Sequence, residues 1–356
     1  MAKAIYWVKK GKSETAFELR ESPGIESQVP PEGHVRIRVQ FSGLNFADVM
    51  ARLGLYPEAP RMPSVLGYDV VGIVEAVGDS FGAEVTHLKV GDRVVAMTRF
   101  GGYSSYVVTP ALAAAVIPAD MDGAKATALA TQYCTAYFAA YEMIRLHAGD
   151  HVLVQAAAGG VGTALVQMAK LQGCTVYGTT GSASKRDYLK KLGVDHVIIA
   201  NPASGIRAME GDLGEQVLKL SDGRKMDAIF DSLGGKAVYE GWKLLAAGGR
   251  IACFGAADFA GTKNPFKALR TLTGFGIYHP LKLMMNSKGM IGINMLAVSD
   301  TRQDIIQRCL AEVVKLVAAG KLDPHVGAVF PAEKIGEAHE FLGARKSTGK
   351  VVLSWS

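Results

Sequence analysis

The length, composition and charge of the chain describe a globular protein and exclude several classes. Its 356 residues are enough for two domains, and 49% of them are hydrophobic while 20% are charged. A formal net charge of +6 suits an anionic ligand but is too small to indicate nucleic-acid binding. We find neither a signal peptide nor an apolar run of the ~20 residues that cross a bilayer. Four widely spaced cysteines indicate reduced thiols, so we expect a cytoplasmic protein.

Short strands dominate about the first 125 residues. The segment 35–41 alternates apolar and basic side chains, which is typical of a half-exposed strand. Further strands are predicted at 70–78, 91–96 and 103–108, each next to a glycine turn. This pattern indicates a small, irregular β-barrel. An alanine-rich segment with a helical pattern follows at about 124–140.

A strand, a turn of small residues and a helix follow one another between His151 and Gly173. Residues 152–154 form an apolar strand, residues 156–162 are small except for one valine, and apolar residues then recur at helical spacing. Small residues let a pyrophosphate approach the backbone, and the N–H groups of a helix start attract its charge. The stretch therefore predicts a dinucleotide-binding turn, although Ala157 replaces the first glycine of the strict G-x-G-x-x-G pattern. A purely structural glycine-rich turn is the alternative.

The segment after the next predicted strand bears on the choice of cofactor. An NAD site usually carries an acidic side chain about 20 residues after the glycines, which binds the ribose 2′-hydroxyl. Here the segment has hydroxyl groups and two cations but no carboxylate, which suits the extra phosphate of NADP(H). We predict Ser182 and Lys185 as contacts of this phosphate, with Thr180 beside them in the cofactor site. Alternatively, Ser182 or Ser184 caps the next helix, and Lys185 is only solvated.

Strands and helices alternate in the chain up to about residue 255. The predicted elements are strands at 174–178, 195–199, 226–232 and 250–255 and a helix at 213–220. Such alternation is typical of a doubly wound parallel sheet. An amphipathic helix is predicted at 301–319, and a strand at 350–353 is expected to return to the first domain.

The stretch between Asp258 and Asp300 contains no acidic residue. Its cations stand among many aromatic, leucine and methionine side chains, and they are Lys263, Lys267, Arg270, Lys282 and Lys288. This composition fits a substrate lid, a dimer surface or a patch that contacts anionic lipid at a membrane surface. An amphipathic helical insertion packed on the sheet is the alternative, and the sequence leaves these possibilities open.

Several motifs together resemble the medium-chain dehydrogenase/reductase superfamily, and most closely its zinc-free quinone oxidoreductase branch. The motifs are GLNFAD at 43–48, PSVLGYD at 63–69, GDRV at 91–94, AAGGVG at 157–162 and GKVVL at 349–353. They cover essentially the whole chain in the expected order. Within that branch, residues 45–52 and the long insertion near 258–294 look most like the vesicle amine transport protein group.

The resemblance implies an α/β fold with two domains. A GroES-like β-barrel catalytic domain would comprise 1–126 and 299–356. A Rossmann domain with a doubly wound parallel sheet would comprise 127–298, with the basic insertion near 258–290. The resemblance further implies NADPH in the cleft between the domains and, as in many relatives, a homodimer.

The resemblance also implies which residues form the site. Asn45 and Tyr56 would face the nicotinamide and the substrate, with Tyr56 as the first and Asn45 as the second hydrogen-bond donor to a developing oxyanion. The other cofactor contacts would be Thr135 near the nicotinamide, Gly159, Gly160, Val161 and Gly162 at the pyrophosphate, Phe254, Gly255 and Asn294 beside the nicotinamide half, and Lys350 from the returning tail.

Two departures from related proteins affect the expected chemistry. Zinc-dependent relatives use a cysteine and a Gly-His-Glu motif, whereas Asn45 stands near the cysteine position and Gly67-Tyr68-Asp69 has no histidine, so we predict no metal site. Hydride would then pass from NADPH to a quinone or an activated enone, which is already electrophilic. A tyrosine that follows the cofactor strand in many relatives is missing near Asn201, which weakens the case for NADP(H). The alternative function is a cofactor-binding protein that acts in lipid or partner association with little catalysis.

Overall fold

The chain folds into two compact units. The computed structural model describes residues 1–78, 88–199, 212–257 and 273–355. Met1–Cys134 and Met295–Ser356 form the first unit, and Thr135–Asn294 form the second. The fold class is mixed α/β, as predicted, with a largely antiparallel sheet in the first unit and a parallel sheet in the second. The catalytic and cofactor-binding roles that the resemblance implies for the two domains stay predictions.

The strands in the described part of the chain belong to three sheets. In chain order they are β1 (Lys3–Trp7), β2 (Phe17–Glu21), β3 (His34–Leu44), β4 (Ser64–Val65), β5 (Asp69–Val77), β6 (Arg93–Met97), β7 (Tyr106–Pro110), β8 (Ala114–Val116), β9 (His151–Val154), β10 (Thr175–Thr180), β11 (His196–Ile199), β12 (Met226–Asp231), β13 (Leu245–Cys253), β14 (Gly289–Gly292), β15 (Val326–Pro331) and β16 (Lys350–Ser354).

The first unit is built around β3, which pairs with β5, β7 and β16. The larger sheet has the order β15-β16-β3-β5-β6-β8, and a smaller sheet has the order β2-β1-β4. Strand β16 runs antiparallel to β3 with Val351 opposite Leu44, which confirms the predicted return of this strand to the first domain. Both side chains are fully buried in one core cluster with Ile5, Trp7 and Leu66.

The helices of the first unit depart from the prediction in two places. Those helices are Ser13–Ala16, Phe46–Leu53, Gly123–Ala128, Met295–Thr301, Gln303–Ala318 and Ile335–Gly343. The predicted helix at 301–319 is confirmed as Gln303–Ala318, and the separate helix Met295–Thr301 before it was not predicted. Arg302 between them has φ −140° and ψ 63°, outside the helical region. The alanine-rich helical segment continues to Ile144 through the π-helical turns Leu129–Tyr133 and Phe138–Ile144, with the short α-helix Cys134–Tyr137 between them.

The second unit is a six-stranded sheet in the order β11-β10-β9-β12-β13-β14, in which every neighbouring pair is parallel. Its helices are Gly160–Leu171, Arg186–Leu192, Asp212–Leu220, Lys236–Leu244 and Pro280–Asn286. This arrangement confirms the predicted doubly wound sheet. Because parallel strands end at the same edge, the loops after β9, β10, β13 and β14 all lie there. None of the described helices is long and apolar enough to cross a membrane.

One histidine lies fully buried in the core of the first unit. The ring of His339 packs 4.5 Å from the ring of Phe17 and edge-on at 5.8 Å from that of Tyr103, measured between centroids. Neither ring nitrogen has a hydrogen-bond partner among the described residues. Burial and the neighbouring charge of Arg52 lower the pKa of His339 well below its usual value, so the ring is neutral at pH 7.

We predict that His339→Leu makes the fold less sensitive to acid. Below about pH 6.5 the unfolded chain takes up a proton at this histidine while the folded chain does not. Each pH unit below that point should therefore lower the wild-type free energy of unfolding by up to about 1.4 kcal/mol through this residue. Urea unfolding at several pH values from about 5 to 7 should show a smaller loss of stability in the variant. Parallel pH profiles for the two proteins would contradict the prediction.

Candidate functional site

A buried polar cluster lies where three strands of the first unit meet. Asp69 begins β5, Lys350 begins β16, and Asn45 directly follows β3. The Nζ of Lys350 lies 2.5 Å from Oδ2 of Asp69 and 3.0 Å from Oδ1 of Asn45. The Nδ2 of Asn45 donates to Oδ2 of Asp69 at 2.5 Å. The structure therefore brings Lys350 to Asn45, and the predicted contact of Lys350 with a cofactor stays a prediction.

Asp48 connects this cluster to the loop before β5. Its carboxylate accepts the backbone N–H of Asn45 at 2.9 Å and that of Gly67 at 3.1 Å. Burial raises the pKa of Asp48 to about 7; the backbone hydrogen bond from Asn45 opposes the increase, and the charge of Asp69 adds to it. A carboxyl group with such a pKa can gain or lose a proton near neutral pH.

Two phenols lie beside the cluster. Burial raises the pKa of Tyr56 and raises that of Tyr68 further, so both side chains are protonated at neutral pH and can donate a hydrogen bond. Each shifts the pKa of the other, although their contact lacks the geometry of a formed hydrogen bond, and Tyr68 Oη has no partner among the described residues. The ring of Tyr68 packs 5.1 Å from that of Phe100. Contact of Tyr56 or Asn45 with a substrate stays a prediction.

The donor atoms of the cluster do not fit a zinc ion. Zinc in proteins is held by cysteine, histidine and carboxylate ligands, three or four of them in tetrahedral reach. Here Asn45 offers an amide, and the ammonium group of Lys350 already lies against Asp69. Across the described ranges, no group of three or more histidine, cysteine, aspartate or glutamate side chains could hold a metal ion.

The glycine-rich turn of the second unit opens a helix at the carboxyl end of β9. Gly159 caps this helix, and the first helical hydrogen bond runs from Thr163 N to Gly159 O at 2.8 Å. The N–H groups of Gly160, Val161 and Gly162 precede that bond and have no partner inside the helix, as at any helix start. They form a place where backbone N–H groups and the helix dipole can bind a pyrophosphate.

Close packing within the turn explains its small residues. A Cβ atom on Gly162 would lie 2.5 Å from Ala156 O and 2.7 Å from Ala157 Cα, closer than real Cβ contacts. Ala156 itself has a φ of 50°, in the left-handed region that disfavours larger side chains. Its N–H donates to Thr179 Oγ1 at 3.1 Å, which ties the turn to β10. The shape of the turn thus depends on residues without bulk at these positions.

The segment after β10 carries the predicted selectivity residues. Thr180 ends the strand, and its Oγ1 accepts the N–H of Ser182 at 3.4 Å. The hydroxyl of Ser182 pairs with that of Ser184 at 2.7 Å. Ser182 occupies the N-cap position of the turn that follows, as the capping alternative has it, but its side chain makes no capping hydrogen bond. Lys185 is half-buried in the same turn. A contact of these residues with a phosphate stays a prediction.

Other predicted contacts lie at the same edge of the parallel sheet. Phe254 and Gly255 directly follow β13, and Asn294 lies just after β14. A Cβ atom on Gly255 would lie 2.5 Å from Ser232 O, so a larger residue would displace the loop after β12. Thr135 lies elsewhere, buried in the helix Cys134–Tyr137. The contacts of these four residues with a cofactor stay predictions.

Sequence reasoning missed the roles of two buried polar residues. Asp69 was noted only because the motif around it lacks a histidine, yet its charge balances Lys350. The signal that could have found it is one acidic residue at the start of an apolar strand, DVVGIV. Gln155 directly follows β9 and is 1% exposed, and its side-chain amide has no partner among the described residues. The apolar periodicity of the sequence gave no indication that Gln155 is buried.

Some predictions fall on residues that the structure does not describe. Lys263, Lys267 and Arg270 of the basic stretch, and Asn201 of the missing-tyrosine position, lie outside the described residues. Lys282 and Lys288 are described, in and just after the helix Pro280–Asn286.

Two family models match the chain, and curated relatives match most of it. The model for the alcohol dehydrogenase GroES-like domain matches residues 31–119, and that for zinc-binding dehydrogenase matches 160–311. The synaptic vesicle membrane protein VAT-1 homolog of Homo sapiens is 34% identical over 91% of this chain and 79% of its own length. The chain belongs to the medium-chain dehydrogenase/reductase family. The Danio rerio homolog is also 34% identical over 90% of this chain. The chain spans only 64% of the length of that relative.

Solved structures place this medium-chain dehydrogenase/reductase in the group that holds quinone oxidoreductases and VAT-1 homologues, which confirms the predicted branch. The human VAT-1 homolog-like protein has a TM-score of 0.81 at 27% identity, covering 100% of this chain and 98% of that one. Escherichia coli quinone oxidoreductase, solved in complex with NADPH, has a TM-score of 0.82 at 28% identity, covering 99% and 100%. A mycobacterial protein solved in complex with NADPH has a TM-score of 0.82 at 27% identity, covering 100% of both chains.

Proposed function

We propose that the protein is an NADPH-dependent oxidoreductase that transfers a hydride to a quinone or an activated enone. The observation that carries the proposal is the helix start at Gly160, which lies at the same sheet edge as a segment of hydroxyl groups and a lysine without a carboxylate. Membership of an oxidoreductase family supports the reaction class. The two NADPH complexes among the similar structures support the cofactor.

The residues at this edge fit the parts of NADPH. The amides of Gly160, Val161 and Gly162, with Gly159 before them, suit the pyrophosphate. Ser182 and Lys185 suit the 2′-phosphate, because hydroxyl and ammonium groups donate to phosphate and a nearby carboxylate would repel it. The further proposed contacts are Thr180, Thr135, Phe254, Gly255 and Asn294. The contacts of the buried Lys350 with Asp69 and Asn45 favour an indirect role for that residue in place of the predicted cofactor contact.

The side chains of the first unit would position the acceptor and stabilise its charge. Bound NADPH supplies the hydride. As the acceptor takes it, negative charge develops on the acceptor oxygen, and donors already aimed at that oxygen lower the barrier. The phenol of Tyr56 and the amide of Asn45 are the proposed donors. A quinone or an enone spreads this charge by delocalisation, so we propose a reaction that is independent of zinc.

A second candidate function is peripheral contact with anionic lipid. The helix Pro280–Asn286 and the segment just before it expose large apolar side chains, with Ile277 91%, Met284 74% and Met285 78% exposed. Lys282 on the same helix adds positive charge, and the surrounding stretch has no acidic residue. A surface that joins apolar and basic side chains is typical of proteins that bind at a lipid interface.

Two further proposals rest on the family resemblance and on composition. We propose a homodimer, since many relatives form one. We also propose a cytoplasmic location, because widely spaced cysteines are typical of reduced thiols. The four cysteines are free of disulfide bonds in the structure.

We predict that the protein oxidises NADPH with a small ortho-quinone as acceptor. The measurement is the loss of NADPH absorbance. Tyr56→Phe should lower kcat about 10²-fold, because one donor to the oxyanion is removed, and should leave the Kd for NADPH unchanged. Tyr106→Phe, which removes a phenol from β7 of the same unit, serves as the matched control and should keep wild-type kcat. A protein that binds NADPH but turns over none of several quinones and enones would refute the proposed reaction.

We predict that Lys185→Ala weakens NADPH binding selectively. Loss of one charge-assisted hydrogen bond to the 2′-phosphate should raise the Kd for NADPH about tenfold or more and leave that for NADH unchanged. Fluorescence titration with both cofactors measures the two values. Lys190→Ala, an exposed lysine on the helix Arg186–Leu192, is the control and should change neither. An equal loss for both cofactors would argue against the phosphate role.

We predict that the double variant Met284→Glu and Met285→Glu binds anionic vesicles at least about tenfold more weakly than the wild type. Two apolar side chains that would enter the bilayer are lost, and two added negative charges repel the anionic lipid. Co-sedimentation with phosphatidylserine-containing vesicles measures this, and neutral phosphatidylcholine vesicles should bind neither protein. Val29→Glu, an exposed residue of the first unit, is the control. Equal sedimentation of wild type and double variant would exclude this surface as the lipid contact.

A further inference from the structure

Two opposite charges lie wholly buried in the polar cluster. The proposed hydrogen-bond donors, Tyr56 and Asn45, do not account for their presence. Lys350 and Asp69 are both 0% exposed, and they are 281 positions apart in the sequence. They meet because β16, β3 and β5 are neighbours, with Gly43 of β3 opposite both Val352 and Asp69. Taking two charges out of water costs free energy that their attraction often only offsets. Stability alone therefore gives little reason for the pair.

The pair holds the side-chain amide of Asn45 in one orientation. Lys350 Nζ donates to Asn45 Oδ1 at 3.0 Å, and Asn45 Nδ2 donates to Asp69 Oδ2 at 2.5 Å. An ammonium group has only donors and an ionised carboxylate has only acceptors. Turning the amide over would set donor against donor and acceptor against acceptor. The two charges thus decide which way the amide faces.

This orientation leaves one N–H of Asn45 for another molecule. Nδ2 carries two hydrogens, Asp69 takes one, and no residue in the described part of the chain accepts the second. The space around the pair is also closed: a Cβ atom on Gly43 would lie 2.7 Å from Asp69 Oδ2 and would overlap Lys350 Cε. The amide is thereby held by two charged partners and has little room to rotate.

We propose that Lys350 and Asp69 are positioning residues that hold the second N–H of Asn45 Nδ2 ready for the oxygen of the hydride acceptor. Neither charged group touches the acceptor, and both act through Asn45. This role rests on the proposed function. It deepens that function, because a fixed donor lowers the barrier more than one that must first be oriented.

The first test is a double-mutant cycle with the quinone reaction. Lys350→Met should lower kcat about 10²-fold with little change in the KM for NADPH. In an Asn45→Ala background the same change should lower kcat no further, because the residues act as one unit. Lys125→Met, which removes the lysine of an exposed pair with Asp323, is the matched control and should keep kcat. Equal losses in both backgrounds, or an effect on the KM for NADPH alone, would overturn the proposal.

A second readout does not depend on turnover. The side-chain amide signals of Asn45 in a nitrogen-15 spectrum are identified by their loss in Asn45→Ala. Lys350→Met should shift them and speed their exchange with water; unmoved signals would overturn the positioning role. If the single variant fails to fold, Lys350→Met with Asp69→Leu removes both charges and serves instead. Shifted signals in a protein without quinone turnover would refute the acceptor class and leave the positioning intact.

Discussion

The contact between Lys350 and Asp69 is the constraint on which the first unit depends. An ammonium group and a carboxylate are costly to bury unless they lie against each other, as Lys350 and Asp69 do. That requirement fixes the register of β16 against β3 and of β3 against β5, because a shift by one residue would turn a charged side chain to the other face. The helix start at Asn45 is tied to the same pair. The same buried ion pair therefore constrains both the strand register of the first unit and the position of Asn45.

The candidate site of the second unit is formed mainly by backbone groups. Its parallel strands end at one edge, so the loops after them converge without any long-range charge pair. The helix start beside Gly160 offers N–H groups, and Ser182 and Lys185 stand after the adjacent strand. Such a site needs small residues and correct strand order more than particular side chains. This difference suits the proposed division, in which one unit would hold the cofactor and the other would select the acceptor.

Sequence reasoning reached the local features and missed the long-range ones. The turn at 156–162 and the sheet after it were predictable, because small-residue turns and apolar strands are visible in short windows. The buried charge pair was not, since nothing near Lys350 in the sequence indicates that Asp69 lies beside it. The pKa of Asp48 depends on burial, which no window shows. The separate helix Met295–Thr301 was not predicted, because its 7 residues are too few to show a helical period.

The position of β16 inside the larger sheet has a consequence for biosynthesis. This strand lies between β15 and β3, and it supplies the cation of the cluster. A nascent chain that has not yet released residue 350 from the ribosome leaves one edge of β3 unpaired and two acidic groups without their counter-ion. Such a chain has an open strand edge that can attract other chains. The cluster around Asn45 is thus completed only once a strand that lies 281 positions after Asp69 has joined the sheet.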